Sequence, residues 1–497
     1  MKSITILLFL ILQLLCVTAA PTSLLKPSQD SWYNLPKNFE DAQPGDILKW
    51  RKTPAPIDSP FFTLNIRNSW QQMVRSTDSL GNPTVAVSTI MQPYNADPST
   101  LVSYNPIEDA VNIDCSPSYA YLDGADNSTA TTQSEMYIIQ LVLNQGWNVI
   151  VPDWEGPKSA YVAAELSAYQ TLDLIRGALQ TKNITEINSG AKVAMWGYSG
   201  GTIGPLWASA LQSRYAPDLN DNFIGVAVGG TVTNVTDTAV LLDGNASAGQ
   251  VAAALGGAGE QYPSFKTQLF KSMNPDKVDK FNKIYKTCLD DSHEVFLNDN
   301  FFSGEDKYFP EGWEFLQIPA IRDVLDANTL AINKSDDIPQ FPIFFYHGQK
   351  DITVHIDTVE RVFNNWCSWT DTPIGNKDNT TYTTKKRGLS LEFAIDQNND
   401  HYQQAKQGIP AAFAWLDKRF KGEPHVDGCS RIERKSNLLY PGVAKGVIEF
   451  VEAAAKTLVG ARIGPTNSIF DLFANGMENL PELNLDLDLN LDLNISL

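Results

Sequence analysis

Ser199 stands in Gly197-Tyr198-Ser199-Gly200-Gly201, a Gly-x-Ser-x-Gly arrangement. A serine hydroxyl is a weak nucleophile until a base takes its proton. Glycines on either side let the chain turn too sharply for bulky neighbours and push the hydroxyl out to where a base can reach it. The chemistry this offers is acyl transfer, which needs a carboxylate and then a histidine further along the chain. With five histidines in the chain, the search is short. His401 follows a strand-like stretch (389–395) and a polar loop, and precedes a helix at Pro410. It is the expected base. Asp351 lies in His347-Gly348-Gln349-Lys350-Asp351, directly after the apolar run 341–346, and is the expected acid. Asp357, Asp396 and Asp400 are rivals without that strand-end placement. His347 reads as structural, His293 falls in the expected cap insertion (231–325), His355 is too close to Asp351, and His425 lies beyond the last core helix.

An acyl-transfer intermediate carries an oxyanion that needs two donors. Gly200 supplies one backbone N–H at the start of a helix. The second is expected from the loop after an early strand, where Asp109 lies.

These side chains need a scaffold that brings them to one edge. Residues 191–195 form a short apolar stretch before Ser199, and 202–215 read as a helix after it. Residues 70–77 and 84–92 read as a hairpin joined by a turn at 78–83. Residues 101–104, 147–151 and 223–228 read as strands, and 161–180 as a helix with apolar residues every three or four positions. Helices are also expected at 410–420 and 443–458. Near-continuous apolar strands alternating with helices predict an α/β fold, with a mostly parallel sheet covered by helices on both faces. The strand–serine–helix order specifies the α/β-hydrolase variant.

The expected organisation is a signal peptide (1–19), a first core segment (20–230), a helical cap or lid insertion (231–325), a second core segment (326–462) and a low-complexity Leu/Asp tail (463–497). Residues 21 to about 60 read as an arm. The insertion holds helical segments at 251–255, 265–273 and 278–288. It also carries the aromatics Phe301, Phe302, Tyr308, Phe309, Trp313 and Phe315, expected to shape an apolar pocket over the serine.

Lys2, the apolar run 4–15 and the small residues 17–20 have the form of a cleaved secretion signal, and no stretch is long enough for a transmembrane helix. The formal net charge of −19 leaves no basic stripe for nucleic acid. Cys115, Cys288, Cys367 and Cys429 remain after Cys16 leaves with the signal. They allow three connectivities, of which Cys115–Cys288 with Cys367–Cys429 is preferred over nested loops. Asn127, Asn183, Asn234, Asn245, Asn333, Asn379 and Asn494 are glycosylation acceptors by motif. No spacing suggests a metal or a cofactor.

The chain resembles the yeast secretory lipase family, the lipase-A type of fungal α/β-hydrolases. The resemblance rests on Leu101-Val102-Ser103-Tyr104 with Glu108-Asp109, Asp114-Cys115-Ser116-Pro117-Ser118-Tyr119, Pro152-Asp153 with Glu155-Gly156-Pro157, and the Ser199 motif. It continues through Gly408, Pro410-Ala411-Ala412, Trp415-Leu416 and Arg419-Phe420-Lys421-Gly422. It implies a secreted triacylglycerol lipase with Ser199, Asp351 and His401 as triad, Asp109 as the oxyanion-loop residue, a helical lid, and the same two disulfides. The partner implied is a lipid ester at an oil–water or membrane interface, met by a monomer. The polar stretch 376–387 and the Leu/Asp tail depart from the family pattern. A short-chain carboxylesterase or peptidase of the same fold is the alternative, and a non-enzymatic wall protein is a third reading that the intact triad argues against.

Overall fold

A computed structural model describes residues 24–58, 64–333 and 338–460. The expected signal peptide, Asn494 and the Leu/Asp tail lie outside the described residues. Thirteen strands occur among them: β1 (Ile47–Lys52), β2 (Asn68–Thr77), β3 (Pro83–Gln92), β4 (Asp97–Asn105), β5 (Trp147–Pro152), β6 (Lys192–Tyr198), β7 (Phe223–Gly229), β8 (Ile343–Gly348), β9 (Ile374–Gly375), β10 (Tyr382–Thr383), β11 (Ser390–Asp396), β12 (His425–Val426) and β13 (Gly428–Arg434). Eleven form one sheet in the order β1-β2-β3-β5-β4-β6-β7-β8-β11-β13-β9, while β10 and β12 pair separately. The pairs β1–β2, β2–β3 and β3–β5 are antiparallel. Every pair from β5 through β4, β6, β7, β8, β11 and β13 to β9 is parallel.

Alternation along the strands divides the interior in two. Val193 and Met195 of β6 join one apolar core, with Val226, Val228, Phe345 and Phe393 from neighbouring strands. Ala194 and Trp196 join the other, with Ala227, Phe344, Tyr346 and Ala394. Helices Ala164–Leu179, Ile203–Tyr215 and Ile356–Trp369 close the first face. Helices Met136–Asn144, Ile409–Phe420 and Lys445–Gly460 close the second. A strand flanked on both sides must be apolar on both sides, which is why β6 and β8 read as unbroken hydrophobic runs.

Several elements depart from expectation. Residues 47–52, expected within an arm, form an edge strand paired to β2. The helix expected over 161–180 starts at Ala164, because Ser159 and Val162 adopt positive φ (45° and 67°) and break the first turn. Helices Met136–Asn144 and Ile356–Trp369 and strand β13 were not among the expected elements.

Between β7 and β8 the chain builds helices, including Val235–Leu242, Ala248–Gln261, Pro263–Ser272 and Leu289–Val295. The aromatics here pack chiefly on one another: Phe309 on Phe315 at 3.9 Å and Phe301 on Tyr308 at 4.4 Å between centroids. Of the six named above, only Phe302 reaches a narrow apolar cavity, which Val162, Val235, Val251, Leu255 and Phe265 also line. The cluster is therefore mainly the insertion's own core. Disulfide Cys115–Cys288 ties this insertion to the segment after β4, and Cys367–Cys429 ties helix Ile356–Trp369 to β13. Among the described residues, no helix is long and apolar enough to cross a membrane.

Candidate active site

Strands β4, β6, β7, β8 and β11 run parallel, so their C-terminal ends share one edge of the sheet. Asp109, Ser199, Gly230, Asp351 and His401 all lie in the segments that leave that edge.

Ser199 follows the last residue of β6 and opens the 3-10 turn Ser199–Thr202, which runs into helix Ile203–Tyr215. Its φ of +50° is unusual for a residue with a side chain and marks a strained turn. The glycines are required by close approach. A Cβ at Gly197 would overlap the Gly201 carbonyl, and one at Gly201 would overlap the Asn105 carbonyl at the end of β4.

His401 is the first residue of helix His401–Gln407, whose start is held by a capping box between Asp400 and Gln403. The preceding loop is shaped by Asp396, which accepts the N–H groups of Asn398 (2.9 Å), Asn399 (3.1 Å) and Asn437 (2.7 Å). That loop is joined to the one after β8: Gln349 N–H donates to the Asp396 carbonyl at 2.7 Å, and Lys350 N–H to the Asn399 carbonyl at 3.0 Å. Asp351 and His401 thereby meet although 50 residues separate them.

Nε2 of His401 lies 2.9 Å from Ser199 Oγ, and Nδ1 lies 2.7 Å from Asp351 Oδ2. All three side chains are buried, with Ser199 5% exposed. Oδ1 of Asp351 accepts the N–H groups of Thr353 (2.9 Å) and Val354 (2.8 Å). Burial works against the charged form of this carboxyl. The charges and hydrogen bonds of His401 and His347 outweigh it and hold Asp351 well below the usual carboxylate range. The rival acids lie elsewhere: Asp357 is exposed beside His355, and Asp396 and Asp400 serve the turns just described.

Sequence reasoning passed over the groups that steady His401. The Tyr198 hydroxyl donates to the His401 carbonyl at 2.6 Å, and the two rings lie 5.3 Å apart. Gly230, at φ +53°, leaves room there, since a Cβ would press on His401 Cε1 and the Tyr198 ring. The Gly229-Gly230 pair directly after a buried strand was the available signal. His355 caps helix Ile356–Trp369, and His425 bonds the Lys385 carbonyl, so neither enters the site. His293 is buried in helix Leu289–Val295, where desolvation lowers its pKa to about 4. The stretch 376–387 supplies β10, away from the loop that carries His401.

Asp109 sits with φ +46° beside Gly200, where a Cβ would collide with its carboxyl group. Gln250, from helix Ala248–Gln261, donates to Asp109 Oδ2 at 3.2 Å, while Oδ1 has no hydrogen-bond partner among the described residues. Desolvation raises the Asp109 pKa to about 7, against hydrogen bonds from Tyr161 and Gln250 and the charge of His401. Behind it, Glu155 accepts the backbone N–H group of Ala110 at 3.4 Å. Glu108 and Glu155 are both buried; burial, with the charges of Asp153 and Asp109 beside Glu108 and of Glu108 and Asp109 beside Glu155, pushes both carboxyls far up. No cluster of His, Cys, Asp or Glu among the described residues is arranged to hold a metal.

Comparison with known proteins agrees with this architecture. A family model described as secretory lipase matches residues 123–428. Lipase 5 of Candida albicans is 42% identical over 480 residues, covering 97% of this chain and 99% of that protein. Lipase 1 of Candida albicans is 41% identical, covering 90% and 92%. The X-ray structure of Candida antarctica lipase A in its closed state aligns with a TM-score of 0.75 at 25% identity, covering 88% of this chain and 96% of that one. The chain belongs to the secretory lipase family and is an α/β-hydrolase of the lipase type.

Proposed function

We propose that this protein is a secreted lipase that hydrolyses triacylglycerols and related lipid esters through an acyl-enzyme on Ser199. The observation that carries the reading is the continuous hydrogen-bonded line Ser199 Oγ–His401 Nε2, His401 Nδ1–Asp351 Oδ2, at 2.9 and 2.7 Å. Ser199 Oγ attacks the ester carbonyl carbon while His401 Nε2 takes the hydroxyl proton. Asp351 orients the imidazole and stabilises its cation. The tetrahedral intermediate collapses by breaking the bond to the alcohol oxygen, which receives the proton from His401 and leaves. Water then attacks the acyl-serine, giving its proton to His401, and the fatty acid departs as Ser199 is reprotonated.

The oxyanion takes one hydrogen bond from the Gly200 backbone N–H. Asp109 supplies the second. Its Oδ1 lies against Gly200 and has no hydrogen-bond partner among the described residues. The donor it offers is the side-chain carboxyl, which burial keeps neutral up to about pH 7.

Residues 231–325 form the lid in this reading. Ser199 is only 5% exposed, and Gln250 of helix Ala248–Gln261 reaches Asp109, so substrate entry requires this insertion to shift. The leader-like first 19 residues and the family's secretory description support export. Asn127, Asn183, Asn333 and Asn379 are exposed and open to glycans. Asn234 and Asn245 are half-buried, with their amides engaged by Asp237 and the Leu241 carbonyl.

The test compares the parent with Ser199→Ala on emulsified triglyceride and on p-nitrophenyl esters of increasing chain length. Loss of about 10⁵–10⁶-fold in kcat is expected. Retention of most triglyceride hydrolysis refutes the nucleophile, and activity confined to acetate esters or peptides replaces the lipase reading with the esterase or peptidase one.

A further inference from the structure

His347 opens the His-Gly-x-x-Asp motif and has no part in the steps above. We propose that His347 is a positioning residue of the catalytic unit: its imidazole shares Asp351 Oδ2 with His401 and so moderates how firmly Asp351 holds the base. The inference rests on the triad reading.

The backbone around His347 determines which of its nitrogens carries the proton. His347 is fully buried at the end of β8. The Thr231 N–H, which can only donate, faces Nδ1 at 3.4 Å, so Nδ1 accepts. The Val354 carbonyl, which can only accept, lies 2.9 Å from Nε2, so Nε2 carries the hydrogen. Asp351 Oδ2 stands 3.3 Å from the same Nε2. The single N–H is therefore divided between the Val354 carbonyl and Asp351 Oδ2, and Nδ1 faces a donor that opposes a second proton.

Asp351 consequently receives donors on every side. Oδ1 takes two backbone N–H groups, and Oδ2 takes one N–H from each of two histidines. Each donor satisfies part of the carboxylate's negative charge, leaving less of it for the His401 imidazolium. The bond to Val354 also pins the turn 351–354, whose tip, Ile352, is 76% exposed. That turn carries both N–H groups that hold Asp351 Oδ1. His347 therefore acts on Asp351 directly and through the loop.

The titratable groups facing this pair are few. Tyr198, from β6, and Tyr402, from the helix that His401 begins, both feel the Asp351 charge, and Asp400 lies at the start of that helix. Asp109 feels the charge of His401. Of these groups, only His347 and His401 donate to Asp351 Oδ2.

Removing the His347 N–H leaves Asp351 a stronger partner for imidazolium. His401 then keeps its proton to higher pH, and the acid limb of activity moves upward. The experiment uses the full secreted chain with His347→Leu and His347→Gln. It records kcat and KM separately against pH on a soluble p-nitrophenyl ester, with fluorophosphonate labelling and thermal melting alongside. For His347→Leu, the acid limb of kcat/KM should rise by about half to one pH unit. Its kcat should fall about tenfold with KM unchanged. Gln carries an N–H at the position of Nε2 and should restore the limb.

A folded His347→Leu whose profile superimposes on the parent's overturns the proposal. So does a displacement shared equally by Leu and Gln, which marks a packing role alone. If Leu does not fold, His347→Asn, whose amide stops short of Asp351, replaces it under the same criteria. Absence of fluorophosphonate labelling at Ser199 in the parent overturns the triad reading itself, and this inference with it.

Discussion

Asp109 provides the most demanding test of the catalytic reading. Its carboxyl lies against Gly200, has an unpartnered Oδ1 among the described residues, and is pushed up to about 7 by burial. In the neutral form it can donate to an oxyanion held by the Gly200 N–H. In the charged form it faces that oxyanion as a like charge. Two unit charges about 4 Å apart at an effective dielectric near 20 repel by about 4 kcal/mol, on the order of a thousandfold in rate. Loss of a single oxyanion donor costs about 10²–10³-fold. Asp109→Ala should therefore lose about 10²–10³-fold in kcat below pH 7, where the parent's carboxyl is neutral. Asp109→Asn keeps an N–H donor without the charge. It should stay within about tenfold of the parent below pH 7 and hold its activity above that pH, where the parent declines. The assay is kcat/KM against pH on a soluble ester, which avoids interfacial effects. An Asp109→Ala variant within about threefold of the parent refutes the donor role. Coincident alkaline limbs for Asn and parent refute the neutral carboxyl.

Stability should depend on pH through the same buried groups. Burial raises the carboxyls of Asp109 and Asp153 to about 7, Glu135 to about 8, and Asp173 and Asp290 to about 6. The native state keeps these protons where the unfolded chain has released them. Their stabilisation is full below about pH 4, the unfolded carboxyl range, and is lost as pH rises through 6 to 8. Asp351 is lowered and His293 is lowered to about 4, so both act oppositely and lose their contribution as pH falls. With Glu108 and Glu155 also pushed up, the raised buried carboxyls outweigh Asp351 and His293, and calorimetry should show Tm falling between about pH 5 and 8; a Tm that climbs throughout that interval contradicts the burial of these carboxyls. Separately, the disulfide Cys115–Cys288 spans a sequence separation of 173, for which chain entropy gives about 5 kcal/mol. The Cys115→Ser, Cys288→Ser double variant should melt at lower temperature, with hydrogen exchange increasing first in helix Leu289–Val295, and an unchanged exchange pattern there would show that the bridge does not secure the insertion.

The strand–helix rhythm was legible because burial on both faces demands unbroken apolar runs, as in 341–346 and 191–195. Elements at the margins of the sheet were not legible. β13 carries Arg431, Glu433 and Arg434, since its end is only half-buried, and Ile47–Lys52 alternates poorly because no position in it is fully buried. Helix Ile356–Trp369 did carry a signal, with Ile356, Val359, Phe363 and Trp366 at helical spacing, and went unread. The aromatics of 301–315 show the limit of composition. Their type indicated burial, but whether they faced a cavity or one another depended on neighbours far along the chain.

The Ser199 turn is a local steric matter, so the sequence by itself determined it: glycines at 197 and 201 are needed within a few residues of the bend. The order Ser199, Asp351, His401 was likewise visible in the chain. Contact between side chains far apart in sequence was decided only by the tertiary structure. The Asp351 and His401 loops are joined by backbone hydrogen bonds from Gln349 and Lys350 that no residue pattern announces. The Asp109 carboxyl comes to rest on Gly200, and its charge state follows from desolvation by helices drawn from other parts of the chain. The proton on His347 was settled by a carbonyl at 354 and an N–H at 231. Such facts belong to three-dimensional juxtaposition, because burial and hydrogen-bond partnership are properties of the packed chain rather than of residue type.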